Sequence, residues 1–304
     1  MTTRIPGLHH VTAISGPAQA NVAFYTGTLK QRLVKKTVNF DDPGTYHLYY
    51  ADPKGSPGTI LTFFPFADAG PGRAGPGMAS AYAYAVPKAG FDAVMEDLAL
   101  KAVSFSRPDL RFGARVITLR DPDGAPVELV ESDSATDAHG FHSVTLWERD
   151  PARTARLLTD VFGYEAAGSE TSAGVERLRL KAPGSERANI IDIIRSDADV
   201  KGRPGAGTIH HIAFRARTQD EQDGWIDTLA TAGHRTTDVI DRQYFNAIYF
   251  REPGGVLFEI ATDPPGFAVD EPLATMGSKL MLPPQYEPMR ARIEQVLPKI
   301  RVAT

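Results

Sequence analysis

Residues 209–214 read Ile-His-His-Ile-Ala-Phe, and residues 8–14 read Leu-His-His-Val-Thr-Ala-Ile. A third opening of the same kind stands at Phe141-His142-Ser143-Val144-Thr145. Each is a short apolar run interrupted by imidazole, followed by an amphipathic stretch and then by β-rich segments. This is the order strand, helix, three strands. It recurs four times with an irregular period of about seventy residues.

The first unit continues through an amphipathic stretch after Gly16-Pro17 and strand-like segments at 34–40, 45–50 and 59–64. The second opens at Ala79 to Tyr84, has a helix over 91–100 and closes with Pro126-Val127-Glu128-Leu129-Val130. The third has its helix near 152–162. The fourth has one near 221–232 and closes with Val256-Leu257-Phe258-Glu259-Ile260. Arg120-Asp121-Pro122-Asp123-Gly124 stands eight residues before Glu128, as Arg251-Glu252-Pro253-Gly254-Gly255 stands eight before Glu259. Proline and glycine there are the chemistry of a tight connection. Linkers fall at 68–77, 132–140 and 196–207. The tail after Asp263 is Pro-rich, then helical from about 287 to 297, and is expected to pack over the core as a lid or brace.

These boundaries give units one and two in residues 1–137, units three and four in 138–264, and the tail in 265–304. The chain has 304 residues, 42% hydrophobic, enough for two sub-domains with a real pocket. Its 33 basic and 37 acidic residues leave no electrostatic footprint for nucleic acid or an anionic membrane. No apolar run approaches membrane-spanning length and no apolar leader opens the chain, so a cytoplasmic protein is expected. With no cysteine, any metal must be held by imidazole and carboxylate.

Alternation along a strand puts His10 on one face with Thr12 and Ile14, His211 with Ala213, and Glu259 with Leu257 and Ala261. A lone histidine on such a face is usually a hydrogen-bonded core residue. Recurrence at equivalent positions reverses that reading. Two neutral imidazoles and one carboxylate leave metal positions open, an arrangement suited to non-haem Fe(II) and oxygen chemistry. By the same alternation His9 and His210 face the other way, which argues against direct ligation.

The segments LHHVTAISG, RLVKKTVNFDDPGTYHLYYAD, GTILTFFPF, IHHIAFRA, DRQYFNAIYFREPGGVLFEIATDPPGF and KLMLPPQYE resemble the ring-cleaving dioxygenases of the glyoxalase/bleomycin resistance/dioxygenase (vicinal oxygen chelate) superfamily. Within it they are most similar to the branch that opens hydroquinones with Fe(II) and O₂. The resemblance implies an α+β fold of four βαβββ modules forming two open barrel-like sheets, modules 1 and 4 paired and 2 and 3 paired. It implies a metal, Fe(II) with Mn(II) as the alternative, held by His10, His211 and Glu259, with Thr62 at the fourth position. Arg242 and Tyr249 match pocket residues that steady a phenolate, and His9 and His210 match pocket or supporting groups. Asn39, Tyr46, His47 and Phe245 fall in matching segments and are candidate pocket lining.

Pairing modules 3 and 4 instead would put His142 in place of His10; the resemblance decides for His10. The second cleft is then expected to present Ala81, Glu128, His142 and Asp192, a degenerate set held by Glu128–His142 hydrogen bonding. The expected partners are a small aromatic diol and O₂, with a homodimer as compatible as a monomer. A glyoxalase-like isomerase, a thiol transferase and a non-catalytic small-molecule-binding protein share the architecture and stand as alternatives.

Overall fold

The computed structural model describes residues 4–196 and 198–302. Among these residues sixteen strands fall into four groups of four. Module 1 holds β1 (Leu8–Ser15), β2 (Arg32–Asn39), β3 (Asp42–Ala51) and β4 (Ile60–Pro65). Module 2 holds β5 (Met78–Pro87), β6 (Asp109–Arg111), β7 (Ala114–Arg120) and β8 (Pro126–Ser132). Module 3 holds β9 (Phe141–Trp147), β10 (Glu165–Ser172), β11 (Val175–Lys181) and β12 (Ile190–Ser196). Module 4 holds β13 (Thr208–Ala216), β14 (Ile240–Asp241), β15 (Phe245–Arg251) and β16 (Leu257–Pro265).

Within each module the first and last strands run parallel, joined by a crossover that begins with a helix. These helices are α1 (Ala18–Val22), α2 (Phe91–Leu100), α3 (Pro151–Arg156) and α4 (Gln219–Thr231). The sequence of α4 shows why it forms there. Thr218 caps its first turn by accepting from the Glu221 amide at 3.2 Å, and Gln222, Trp225 and Leu229 recur on one buried face. Gln222 donates to the carbonyls of Asn246 and Ile260, tying the helix to β15 and to β16, the strand that carries Glu259. Truncating Trp225 to alanine would cost about 3–5 kcal/mol, as for other buried aromatics.

The modules pair out of chain order. One eight-stranded sheet runs β14-β15-β16-β13-β1-β4-β3-β2, joining modules 4 and 1 through the antiparallel β1–β13 contact. The other runs β10-β11-β12-β9-β5-β8-β7-β6, joining modules 3 and 2 through β5–β9. The expected pairing of 1 with 4 and 2 with 3 is the observed one, and His142 lies in the other sheet from His211.

The turns before β8 and β16 repeat in their hydrogen bonds as well as in sequence. Asp121 accepts from the amides of Asp123 and Ala125, and Glu252 from those of Gly254 and Val256. Arg120 and Arg251 each donate to the carbonyl four residues on.

The tail is a brace. Phe267 and Met276 pack with Tyr49, Tyr244 and Ala261 in the core of the first sheet. The fully buried Lys35 ammonium donates to Asp270 (2.5 Å) and Glu271 (2.6 Å), so the charge entering the core there is paired. The last helix, α5 (Arg290–Val296), packs against β3.

Candidate metal centre

The first sheet carries two irregularities that alternation alone does not foresee. On β1, Leu8 pairs with Phe214 and His10 with Ala213, so His9 is an extra residue. On β13, Thr12 pairs with His211 and Ala13 with Ile209, so His210 is an extra residue. Each is a β-bulge, a device that re-aims the side chains beside it. The expectation that His9 and His210 turn away from their neighbours is therefore corrected. The Nδ1 atoms of His9 and His10 are 2.9 Å apart, and those of His210 and His211 are 2.7 Å apart. Both doublets fold onto the same site.

Further along the parallel pairs, Ala213 faces Glu259 and Thr12 faces Thr62. The side chains converge: His211 Nε2 lies 2.8 Å and His10 Nε2 3.4 Å from Glu259 Oε2, and the two Nε2 atoms are 3.4 Å apart. All three residues are buried. Three donors about 2 Å from one ion and roughly at right angles would stand at about these separations. Neither oxygen of Glu259 accepts a well-directed hydrogen bond from the described residues, although both are buried. A buried carboxylate without donors is costly, and a cation between it and the imidazoles removes that cost. The residues present thus fit a divalent metal.

The histidine doublets also settle a tautomer. If His10 and His211 offer Nε2 to a cation, each carries its proton on Nδ1 and donates to His9 or His210, whose Nδ1 accepts. Burial, and then the neighbouring His10, pushes the His9 imidazole well below its ordinary range, which keeps it a neutral acceptor. Burial would raise the Glu259 carboxyl, but His10 and His211 outweigh it and hold the group ionised.

Tyr249 stands opposite Glu259 on the neighbouring strand. Burial, and secondarily the Glu259 charge, push its phenol up, so it is a proton donor. Arg242 Nε donates to the Tyr249 hydroxyl at 3.3 Å, and its Nη1 lies 3.2 Å from Asp41 on the β2–β3 turn. Desolvation works against that guanidinium, but Tyr249, Asp41 and Glu259 hold its charge.

Above the triad lies a cavity of about 380 Å³, walled by Ile14, Phe40, Phe64, Phe66, Phe245 and Leu257. His47, Asn39, Tyr49, Asp41 and His210 add polar edges. Asn39, His47 and Phe245 line it, as their sequence segments predict. Tyr46 is elsewhere: its hydroxyl donates to the Pro298 carbonyl and fastens the tail. The roles of Asp41 and Tyr49 were missed, because each depends on a contact between distant strands.

The second sheet repeats the bulges at Ser80 and His142, with Ala83 facing Glu128 and Thr145 facing Asp192. By that register the counterpart of His211 is Ser143, and His142 corresponds to His210. The expected set is corrected to Ala81, Glu128, Ser143 and Asp192. Nor are Glu128 and His142 partners. Arg111 forms a two-pronged pair with Glu128 (2.6 and 2.9 Å), Arg179 forms one with Asp192 (2.8 and 2.9 Å), and Arg177 reaches Asp192 at 3.1 Å. His142 Nδ1 lies 2.9 Å from the Ser143 hydroxyl.

The model of the Glyoxalase/Bleomycin resistance protein/Dioxygenase superfamily matches residues 7–129 and again 140–260. The chain is 44% identical over 310 residues to a Bacillus subtilis protein named "Putative ring-cleaving dioxygenase MhqO", covering 98% of this chain and 97% of that one. It is 33% identical to a chlorohydroquinone/hydroquinone 1,2-dioxygenase of Sphingobium indicum, covering 93% of each. The crystal structure of a "putative dioxygenase" from B. subtilis superposes with a TM-score of 0.93 at 44% identity over 99% of both chains. Glyoxalase I of Zea mays superposes with a TM-score of 0.64 at 14% identity, over 84% of this chain and 92% of that one, a likeness of fold.

Proposed function

The chain belongs to the glyoxalase/bleomycin resistance protein/dioxygenase superfamily, and on that premise we propose that it is a ring-cleaving dioxygenase acting on a hydroquinone-type or catechol-type diol. The proposed ligands are His10, His211 and Glu259. The observation that carries the reading is the pairing of this buried three-donor set with Thr62 at the fourth register position, under a mostly apolar cavity. A fourth carboxylate would leave less room for two reactants. The same threonine weighs against a glyoxalase-like isomerase or a thiol transferase on this scaffold.

Fe(II), or Mn(II) on the same ligands, would supply the redox and Lewis-acid chemistry that joins O₂ to an aromatic ring. The chain's own residues do the rest. Phe64, Phe66 and Phe245 give the ring flat walls and limit bulk water. Tyr249 and Arg242 stand beside Glu259, where a phenolate oxygen and developing negative charge need donors. His9 and His210 hold the ligand imidazoles in one tautomer and orientation.

The test is oxygen uptake by protein reconstituted anaerobically with Fe(II), against a panel of hydroquinones and catechols, with His10→Ala and His142→Ala alongside. Diol-dependent uptake lost in His10→Ala and kept in His142→Ala is the expected result. Stoichiometric metal binding with no uptake for any diol would sink the dioxygenase reading.

A further inference from the structure

The second sheet also encloses a cavity, of about 320 Å³, lined by residues of β5, β7, β9, β11 and β12 and bordered by the 133–137 and 186–189 loops. It lies beyond the guanidinia that neutralise Glu128 and Asp192, and Arg179 belongs to both. Its floor is cationic. Arg177, Arg179 and Lys181 alternate along β11 and so share a face. Arg179 is 8% exposed and uses Nε and Nη2 on the Asp192 carboxylate, which leaves Nη1 without an acceptor among the described residues. Its guanidinium lies over the Phe112 ring, 4.0 Å from the centroid. Lys181 is exposed at the cavity and has no acidic partner at ion-pair distance among the described residues.

His142 adds a third donor. The hydroxyl of buried Ser143 lies 2.9 Å from His142 Nδ1 and has no other acceptor among the described residues. A buried hydroxyl proton without an acceptor is costly, so Ser143 donates and the neutral imidazole carries its proton on Nε2. Burial first, and then the Arg179 charge, hold that imidazole down at about 4, with Arg111 and Lys181 adding to the effect and Asp192 opposing it. The field at this end of the sheet is therefore positive. The acidic residues of the wall do not cancel it. Glu131 is held two-pronged by Arg115 (3.2 and 3.0 Å), and Asp137 accepts from the His139 amide. Asp133, beside Lys88, and Glu186 are exposed at the mouth together with Arg187, where water and salt screen them.

We infer that this cavity is a second small-molecule site that takes an organic monocarboxylate, with the carboxylate against Arg179 Nη1, His142 Nε2 and Lys181 Nζ and a short apolar body against Phe112, Ala85 and Ala114. Three donors converging from two strands match the two oxygens of a carboxylate. The apolar wall and the size of the space exceed what a bare inorganic anion fills. A neutral diol brings no charge to set against Arg179 and Lys181, so the two sheets select different molecules. The inference does not depend on the dioxygenase reading, because no residue of the metal centre lines this cavity.

The experiment titrates the full metal-loaded chain, kept anaerobic, with benzoate, benzamide and inorganic phosphate by calorimetry. Benzoate is expected to bind with a Kd on the order of 1 mM, and benzamide and phosphate about 10-fold more weakly or worse. Lys181→Glu, at an exposed position, should keep the wild-type melting temperature and weaken benzoate about 10-fold or more, whereas Lys181→Arg should hold it within about threefold. Glu259→Gln, which alters only the metal centre, should leave benzoate binding as it is in wild type. Affinity lost in Glu259→Gln and kept in Lys181→Glu would put the carboxylate on the metal and overturn the inference. Benzamide bound as tightly as benzoate would remove the part played by charge, and phosphate bound as tightly would mean that the cavity takes a bare anion; either result overturns the assignment. So does the absence of any heat of binding from benzoate at concentrations well above the expected Kd.

Discussion

The two sheets were built to the same plan and hold their centres together differently. Each has a pair of bulges on its two central strands and carboxylate or threonine at the same register on the flanking ones. In the first sheet the two carboxylate-register positions are Thr62 and Glu259, and imidazoles close the set. In the second they are Glu128 and Asp192, and the space is filled by the guanidinia of Arg111, Arg177 and Arg179. A buried carboxylate needs a counter-charge in either case. One sheet draws it from its own covalent structure, and the other is left open to an ion. The difference teaches that buried carboxylates at these register positions can be neutralised from within the chain, leaving no room for an ion, on the same fold.

Removing ligands from each sheet tests that contrast most sharply. His211→Ala or Glu259→Gln is expected to abolish metal binding and lower diol-dependent oxygen uptake by about 10³-fold or more, the several kcal/mol a catalytic metal contributes. Metal analysis on the purified variants reads it directly. The fold should survive, because Glu259→Gln also relieves a buried charge. Retention of a full equivalent of tightly bound metal in Glu259→Gln would break the assignment.

The matching change in the other sheet is Asp192→Asn. It leaves Arg177 and Arg179 buried without their counter-charge, which costs about 3–5 kcal/mol, while metal content and turnover stay at wild-type values. Urea unfolding at pH 7 measures the first and metal analysis the second. Loss of metal in this variant would mean that the two sheets are functionally coupled.

A smaller effect is expected at the bulged residues. His9→Ala and His210→Ala remove the groups that hold the ligand tautomers, so metal affinity should fall about 10-fold to 100-fold. Ser80→Ala and His142→Ala, at the equivalent bulges of the second sheet, should leave it unchanged. Competition with a chelator of known affinity resolves these differences. Equal effects in both sheets would show that the bulges matter only for packing.

Much of this organisation is legible in the chain itself. Four recurrences of one pattern, with turns at constant distance from Glu128 and Glu259, locate the modules, because repeat spacing and turn chemistry are local properties. Imidazole recurring on mostly apolar faces leaves His10 or His142 beside His211 and Glu259, and the family resemblance chooses His10. What was not legible depends on pairing between distant strands. An adjacent His-His doublet reads as two opposite faces until a bulge is known to lie within it. The signal was present in the doublets recurring at the same offset on two strands. Reading Leu8-His9-His10 against Phe141-His142-Ser143 in that register would have assigned Ser143, and not His142, to the ligand position. The arginines of the second sheet were invisible for a different reason: exposed and buried guanidinium look alike in sequence, and only the cross-strand pairing of Arg179 with Asp192 separates them.

The last effect is read as a slope with pH and is expected where the two sheets meet. Glu148, just after β9, and Glu252, in the turn before β16, bring two buried carboxyl groups together at this joint. Glu252 accepts from the amides of Gly254 and Val256 and from the Thr154 hydroxyl, so the donors at this joint are gathered on it. Burial, and then the Glu252 charge, push the Glu148 carboxyl up to about 8. A carboxyl whose folded value lies above its unfolded one contributes stability that is fully present at acid pH and lost as pH rises through about 8. Glu148→Gln stays neutral throughout and keeps the shape. Its stability relative to wild type should therefore grow steadily between pH 5 and pH 8, by up to about 1.4 kcal/mol per pH unit. The counterpart joint, where Tyr25 donates to Asp121 at 3.0 Å, supplies a hydroxyl in place of a second carboxyl. A stability difference between wild type and Glu148→Gln that is flat across that range would mean that Glu148 is ionised in the folded protein and that its counter-charge comes from outside the pair.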